Sequence, residues 1–178
     1  MIRIVIAEDQ ELLLGAIGSL LNMEDDMQVV GQAGNGEEAV ALVHQLQPDV
    51  CIMDIEMPKM SGLEAAEALK SLGCKVIILT TFARAGYFER ALKADVKGYL
   101  LKDGPSEELA CSIRSIMAGN TIYSPELMDV GSIETEQEIE LLEKPVAEPI
   151  LTNKPRAKLG MVRHYFSTIW DKMKLPTG

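Results

Sequence analysis

Up to about residue 120 the chain alternates, five times over, between short unbroken apolar runs and longer stretches whose apolar residues recur at helical spacing. Ile2–Ala7 reads as a buried strand, followed by an apolar-periodic helix over 10–21. A second strand covers 27–33, and the helix after Gly36 carries Ala39, Val40, Leu42, Val43 and Leu46. Val50 to Asp54 is a third buried run, and a loop with Pro58 and Gly62 leads into a helix over 63–72. The last two strands are 76–80 and 98–101, with a helix at 86–94 between them and another at 106–118 after them. Strands without polar alternation are covered on both faces, and strands joined by helices form a parallel sheet. The predicted fold is α/β: a flavodoxin-like, doubly wound, five-stranded parallel sheet, whose site lies beyond the carboxyl ends of the strands.

Past residue 120 the alternation stops. Ser124-Pro125 can open a short helix, and residues 134–143 place Ile139, Leu141 and Leu142 at roughly helical spacing among acids. Pro145, Pro149 and Pro155 limit helix in the interval that follows. A helical stripe returns with Val162, Phe166, Ile169, Trp170 and Met173. This divides the chain into a unit over 1–122, an acidic connector over 123–152 and a short, largely helical segment over 153–178.

Composition changes the picture mainly at the C-terminal end. The net charge of −10 argues against a protein that coats nucleic acid over its whole surface. Yet between 129 and 148 seven acids face one Lys, and between 152 and 175 six Lys or Arg face one Asp. A basic end behind an acidic connector can mark a surface that meets nucleic acid. Cys51, Cys74 and Cys111 lack metal-ligand spacing and read as idle thiols of a reducing compartment. Glu8 and Asp9 interrupt the N-terminal apolar run, and no run approaches the ~20 apolar residues that span a bilayer. No membrane is expected as a partner, and the expected location is cytoplasmic.

The chemistry sits where the strands end. The first strand ends in Glu8-Asp9, the third in Asp54 and the fourth in Thr80, and Lys102 follows the fifth. Carboxylates meeting beside a switch point repel one another unless a cation joins them, and Mg²⁺ suits such oxygen ligands. Phosphoryl transfer needs a nucleophilic oxygen, charge neutralisation and donors to the equatorial oxygens. Asp54 can be the nucleophile, Mg²⁺ and Lys102 the neutralisers, and Thr80 the hydroxyl donor. Taken singly, each residue has a plainer reading as a turn residue, a solvated charge or an ordinary strand position. A nucleotide- or flavin-binding site is the other use of such a sheet, but the turn Glu8-Asp9-Gln10-Glu11 repels phosphate unless a metal intervenes.

The runs EDQ (8–10), MDIEMPKMSG (53–62), LTT (79–81) and GYLLKD (98–103) resemble the receiver domain of two-component response regulators, over about residues 1–122. The resemblance is nearest to the NarL/FixJ type with a LuxR-type output, and within it to regulators of membrane-lipid desaturation. It implies Asp54 as phosphoacceptor for a sensor histidine kinase, and Glu8, Asp9 and the backbone carbonyl of Glu56 as Mg²⁺ ligands. It also implies Thr80 and Tyr99 as paired switch residues and Lys102 as the contact to the phosphoryl group. Such a chain is not an enzyme beyond weak loss of its own phosphoryl group. Phe82, two residues after Thr80, would hinder an attacking water and slow that loss.

By the same resemblance TEQEIELL (135–142) and GMVRHYFSTIWDKMKL (160–175) match parts of a LuxR-type helix-turn-helix, which places Arg163, His164 and Lys172 toward DNA. The chain departs from that pattern: the intervening region is short and broken by prolines. Three readings stay open for it, namely DNA binding, a decayed output behind a phosphorylation-dependent protein-binding module, and a plain solvated tail. A phosphorylation-linked homodimer is expected through Leu12, Leu13, Leu14, Ala16, Ile17, Leu20 and Leu21 with Leu109, Ile113 and Met117.

Overall fold

The computed structural model describes residues 1–128 apart from 82, 83, 85 and 105. Most of the connector, the segment 153–178 with Arg163, His164 and Lys172, and Phe82 lie outside the described residues. The element order is β1 (Ile2–Ala7), α1 (Glu11–Leu21), β2 (Met27–Ala33), α2 (Gly36–Leu46), β3 (Val50–Met53) and α3 (Gly62–Leu69). It continues with β4 (Lys75–Thr80), α4 (Tyr87–Lys93), β5 (Gly98–Leu101), α5 (Ser106–Met117), β6 (Ile122–Tyr123) and α6 (Pro125–Met128). The strands pair in parallel in the order β2-β1-β3-β4-β5-β6.

The strand period of two sends successive side chains to opposite faces, and the core divides accordingly. Val5, Ala7, Cys51, Met53, Val76, Ile78 and Tyr99 meet α2, α3 and α4 residues such as Val43, Leu69 and Ala91. Ile4, Ile6, Val50, Ile52, Ile77, Leu79 and Leu100 meet Ile17 and Leu21 of α1 and Ala110, Ile113 and Ile116 of α5. Burial on both faces is why these strands lack polar alternation. The doubly wound parallel fold is therefore as expected.

The sheet corrects the expectation of five strands: among the described residues it has six. Ile122 N–H donates to Lys97 O (3.0 Å) and Ser124 N–H to Tyr99 O (2.9 Å), which adds β6 to the free edge of β5. A two-residue strand is too short to show a hydrophobic period, and it exists only because α5 returns the chain to that edge. The strand runs through Tyr123, one residue past the boundary at 122.

The apolar patch offered for a homodimer is smaller than expected. Ile17, Leu21 and Ile113 are core residues. Leu13, Leu14, Leu109 and Met117 are half-buried against that same core, and Leu12 is the exposed member at 72%. Because α1 and α5 cover the same face of the sheet, residues assigned to a surplus face cover the core instead.

Two helix starts hold the loops that frame the strand ends. Asn35 caps α2 by accepting from Glu38 N–H (3.0 Å). Ser61 and Glu64 form a reciprocal capping box at α3. Gly62 packs so closely on the backbone carbonyl of Asp54 that a Cβ there would collide with it. Gly62→Ala should cost about 1–3 kcal/mol by forcing that backbone apart. Gly15→Ala, at an exposed position of α1 with open space around it, should add about 0.5–1 kcal/mol. Urea midpoints of the two variants should move in opposite directions, and equal midpoints would remove the close-approach argument.

Candidate functional site at the strand ends

β1 and β3 are adjacent, and the chain leaves their carboxyl ends toward opposite faces, so a crevice opens beside Ala7 and Met53. Glu8 and Asp54 enter it from these two strands. Backbone bonds fix both: Glu8 N–H donates to Ala33 O (3.0 Å) and Asp54 N–H to Ala7 O (3.0 Å). Lys102 arrives from the end of β5, its own N–H bound to Thr80 O (2.8 Å). Its Nζ donates to Glu8 Oε2 (2.6 Å) and lies 3.0 Å from Asp54 Oδ2. All three side chains are nearly inaccessible, whereas Asp9 is exposed at the mouth. Asp54 Oδ1 accepts from Ile55 N–H (2.7 Å), so both its oxygens are held.

Oxygen atoms of Glu8, Asp9 and Asp54 lie within 4.8 Å of one another. Glu8 Oε1 is buried and has no hydrogen-bond partner among the described residues. A set of hard oxygen donors with one orphaned oxygen fits a divalent cation such as Mg²⁺. The Glu56 side chain is not in this set: its carboxylate turns to the rim and meets Arg84 at 2.8 Å. Arg84 also lies over the Tyr87 ring (5.8 Å) and so ties the loop before α4 to the loop before α3.

Thr80 is buried at the end of β4, in register with Leu101 of β5. Tyr99 is 1% exposed and packs on the face opposite α1 and α5. Its ring meets Phe88 edge-on (centroids 5.7 Å apart), and Phe88 meets Tyr123 in the same way (5.4 Å). Such pairs add about 0.5–1.5 kcal/mol each beyond burial. The Tyr99 hydroxyl is buried with no partner among the described residues, a cost of about 1–3 kcal/mol. Burial, helped by nearby Tyr87, pushes its pKa up to about 12, so it stays a neutral phenol.

The structure thus brings Glu8, Asp9, Asp54 and Lys102 into one crevice, with Thr80 at the strand end on Lys102's side and Tyr99 inside the core. Arg84, Phe88 and Tyr123 escaped sequence reasoning, because each acts on a partner distant in the chain. Two of the thiols are inert: burial raises Cys51 strongly and pushes Cys74 up to about 12, far from a reactive thiolate at neutral pH.

Burial raises the pKa of Glu8 above the ordinary carboxylate value of 4.5, a push that the Lys102 hydrogen bond and charge oppose and the Asp54 charge assists. A raised acid binds its proton better in the folded state, so its contribution to stability is complete below pH 4.5 and is lost as pH rises through the raised value. With divalent ions chelated, wild-type Tm should fall relative to Glu8→Gln as pH goes from about 4 to about 7. Parallel Tm curves for the two proteins would overturn that assignment.

The model of the response regulator receiver domain family matches residues 4–114. The transcriptional regulatory protein DesR of Bacillus subtilis (strain 168) is 57% identical over 187 residues, covering 98% of this chain and 92% of that protein. The transcriptional regulatory protein YvfU of the same organism is 50% identical over 183 residues, with 97% and 91% covered. A crystal structure of a DNA-binding response regulator of the LuxR family from Staphylococcus aureus aligns with a TM-score of 0.63 at 42% identity. It covers 65% of this chain and 98% of that one.

Proposed function

The chain belongs to the response regulator receiver family, and from that premise we propose that it controls transcription according to a phosphoryl group carried on Asp54. The observation that carries this reading is the Asp54 carboxylate, buried at a strand end with both oxygens held and Lys102 3.0 Å away. An Asp54 oxygen attacks the phosphorus of a phosphohistidine on a sensor kinase, and the bond from phosphorus to the imidazole nitrogen breaks as the imidazole leaves. Glu8, Asp9, Asp54 and the Glu56 carbonyl are the residues that would hold Mg²⁺. A bound Mg²⁺ would neutralise charge on the phosphoryl oxygens. Lys102, already at Asp54, neutralises the rest and orients the group.

The phosphoryl oxygens then draw the Thr80 hydroxyl inward, and Tyr99 settles in the buried position. Shifting a two-state balance from 1:99 to 99:1 takes roughly 5.5 kcal/mol, within reach of several charge-assisted bonds. In this reading residues 1–122 are the receiver, 123–152 the connector and 153–178 a remnant helix-turn-helix in which Arg163, His164 and Lys172 face DNA. The regulator works in the cytoplasm, forms a phosphorylation-linked homodimer, loses its phosphoryl group slowly unaided and acts on membrane-lipid genes. Among the described residues no helix is long and apolar enough to cross a membrane.

One observation favours a second reading, a receiver whose output is a protein partner. The alignment with DesR needs 187 positions for a chain of 178, so this chain lacks positions that its relative has. Pro149 and Pro155 also interrupt the region between the two segments that resemble DNA-binding helices.

With Mg²⁺ and a small acyl phosphate, intact mass should show one phosphoryl group on the wild type, none on Asp54→Asn, and none with chelator present. Labelling of Asp54→Asn at the wild-type level would overturn the assignment. The phosphorylated full chain should bind a labelled mixed-sequence duplex with affinity that falls with salt. Replacing Arg163 and Lys172 by Ala should lower the salt slope by about one unit each. No binding at low salt would favour the second reading.

A further inference from the structure

Tyr99, Phe88 and Tyr123 form a continuous edge-to-face line across three elements: β5 under the crevice, α4 beside it and β6 at the sheet edge. The strand β6 is only two residues long. Its backbone bonds are Ile122 N–H to Lys97 O and Ser124 N–H to Tyr99 O, and the Tyr123 hydroxyl donates to Val96 O (3.1 Å). An edge strand this short depends on side-chain packing to stay docked. Here that packing includes the Phe88 ring, which is also the ring against Tyr99. Ser124, the residue that leads out of the sheet, is bound to the Tyr99 carbonyl itself (2.9 Å).

Tyr99 is poised between opposing forces. Its ring gains from burial against Phe88, while its hydroxyl is buried without a partner among the described residues. The buried position of Tyr99 thus carries terms of opposite sign.

We propose that Phe88 and Tyr123 couple the position of Tyr99 to the docking of β6, so that the phosphoryl state of Asp54 sets how firmly the chain leading to residues 129–178 is held to the sheet. This rests on the phosphoacceptor reading above and extends it from the crevice to the exit of the receiver. With Tyr99 inward the aromatic line is complete and β6 is clamped. With its ring turned outward, Phe88 loses its edge contact with Tyr99, the packing against Tyr123 loosens, and β6 frays. The output segment is then anchored or released at Ser124.

Amide hydrogen exchange of the full chain, read in peptides covering Ile122 to Ser124, tests this with a small acyl phosphate and Mg²⁺ as the phosphoryl source. Intact mass of the same samples gives the occupancy of Asp54. Phosphorylated wild type should exchange there at least about threefold more slowly than unphosphorylated protein. Phe88→Leu should take the phosphoryl group yet show one rate in both states. Tyr123→Phe, which keeps the ring and loses the hydroxyl, should keep the response. Should Phe88→Leu not fold, Tyr123→Leu replaces it with the same expected loss. Full labelling with no change in wild-type exchange, or an undiminished response in the leucine variant, overturns the coupling. Absence of label on wild-type Asp54 overturns the phosphoacceptor reading, and the coupling falls with it.

Discussion

Glu8 and Asp54 end adjacent strands with almost no access to solvent, and the Lys102 ammonium that bridges them is what makes that placement tolerable. Two buried carboxylates side by side would otherwise bear both desolvation and mutual repulsion. Removing one partner of such a buried group costs roughly 3–5 kcal/mol, because it strands the charge that remains. The contact joins residues 94 positions apart, and it requires β1, β3 and β5 to present their carboxyl ends on the same edge. Parallel pairing does this for every strand at once, so the crevice is a consequence of the sheet as much as of its own residues.

Compensation by one lysine is incomplete. Glu8 keeps an oxygen without a partner among the described residues, its carboxyl group is pushed toward the protonated form, and Asp9 adds a further acid at the mouth. A site with surplus negative charge and unsatisfied oxygens favours a divalent cation, and a cation there favours a phosphoryl group in turn. The same imbalance that limits the stability of the strand ends makes them chemically useful.

Around this centre the fold arranges two weaker layers. At the rim, Glu56 and Arg84 tie together the loops that precede α3 and α4; both are half-exposed, and such pairs carry little stability. Beneath the crevice, the rings of Tyr99, Phe88 and Tyr123 run from β5 to β6. Rings shift or turn as units in close-packed interiors, so a contact line of this kind suits a structure with discrete states better than a gradual one.

Much of this was legible in the chain itself. Unbroken apolar runs marked five of the six strands among the described residues, since burial on both faces removes polar alternation, and the helical periods marked the helices between them. The candidate site was legible for the same reason: Glu8, Asp9, Asp54, Thr80 and Lys102 each follow a run that can be recognised, and the strand-end rule gathers them. What the tertiary structure decided is whatever depends on a partner distant in sequence. The strand β6 has no period and exists only against the edge of β5. Ile113 is core and not surface because α1 and α5 share one face of the sheet. Arg84 finds Glu56, and Phe88 links Tyr99 to Tyr123, through approaches that no local pattern encodes. Periodicity reports which face of an element is buried; what lies against that face is settled only when the elements come together.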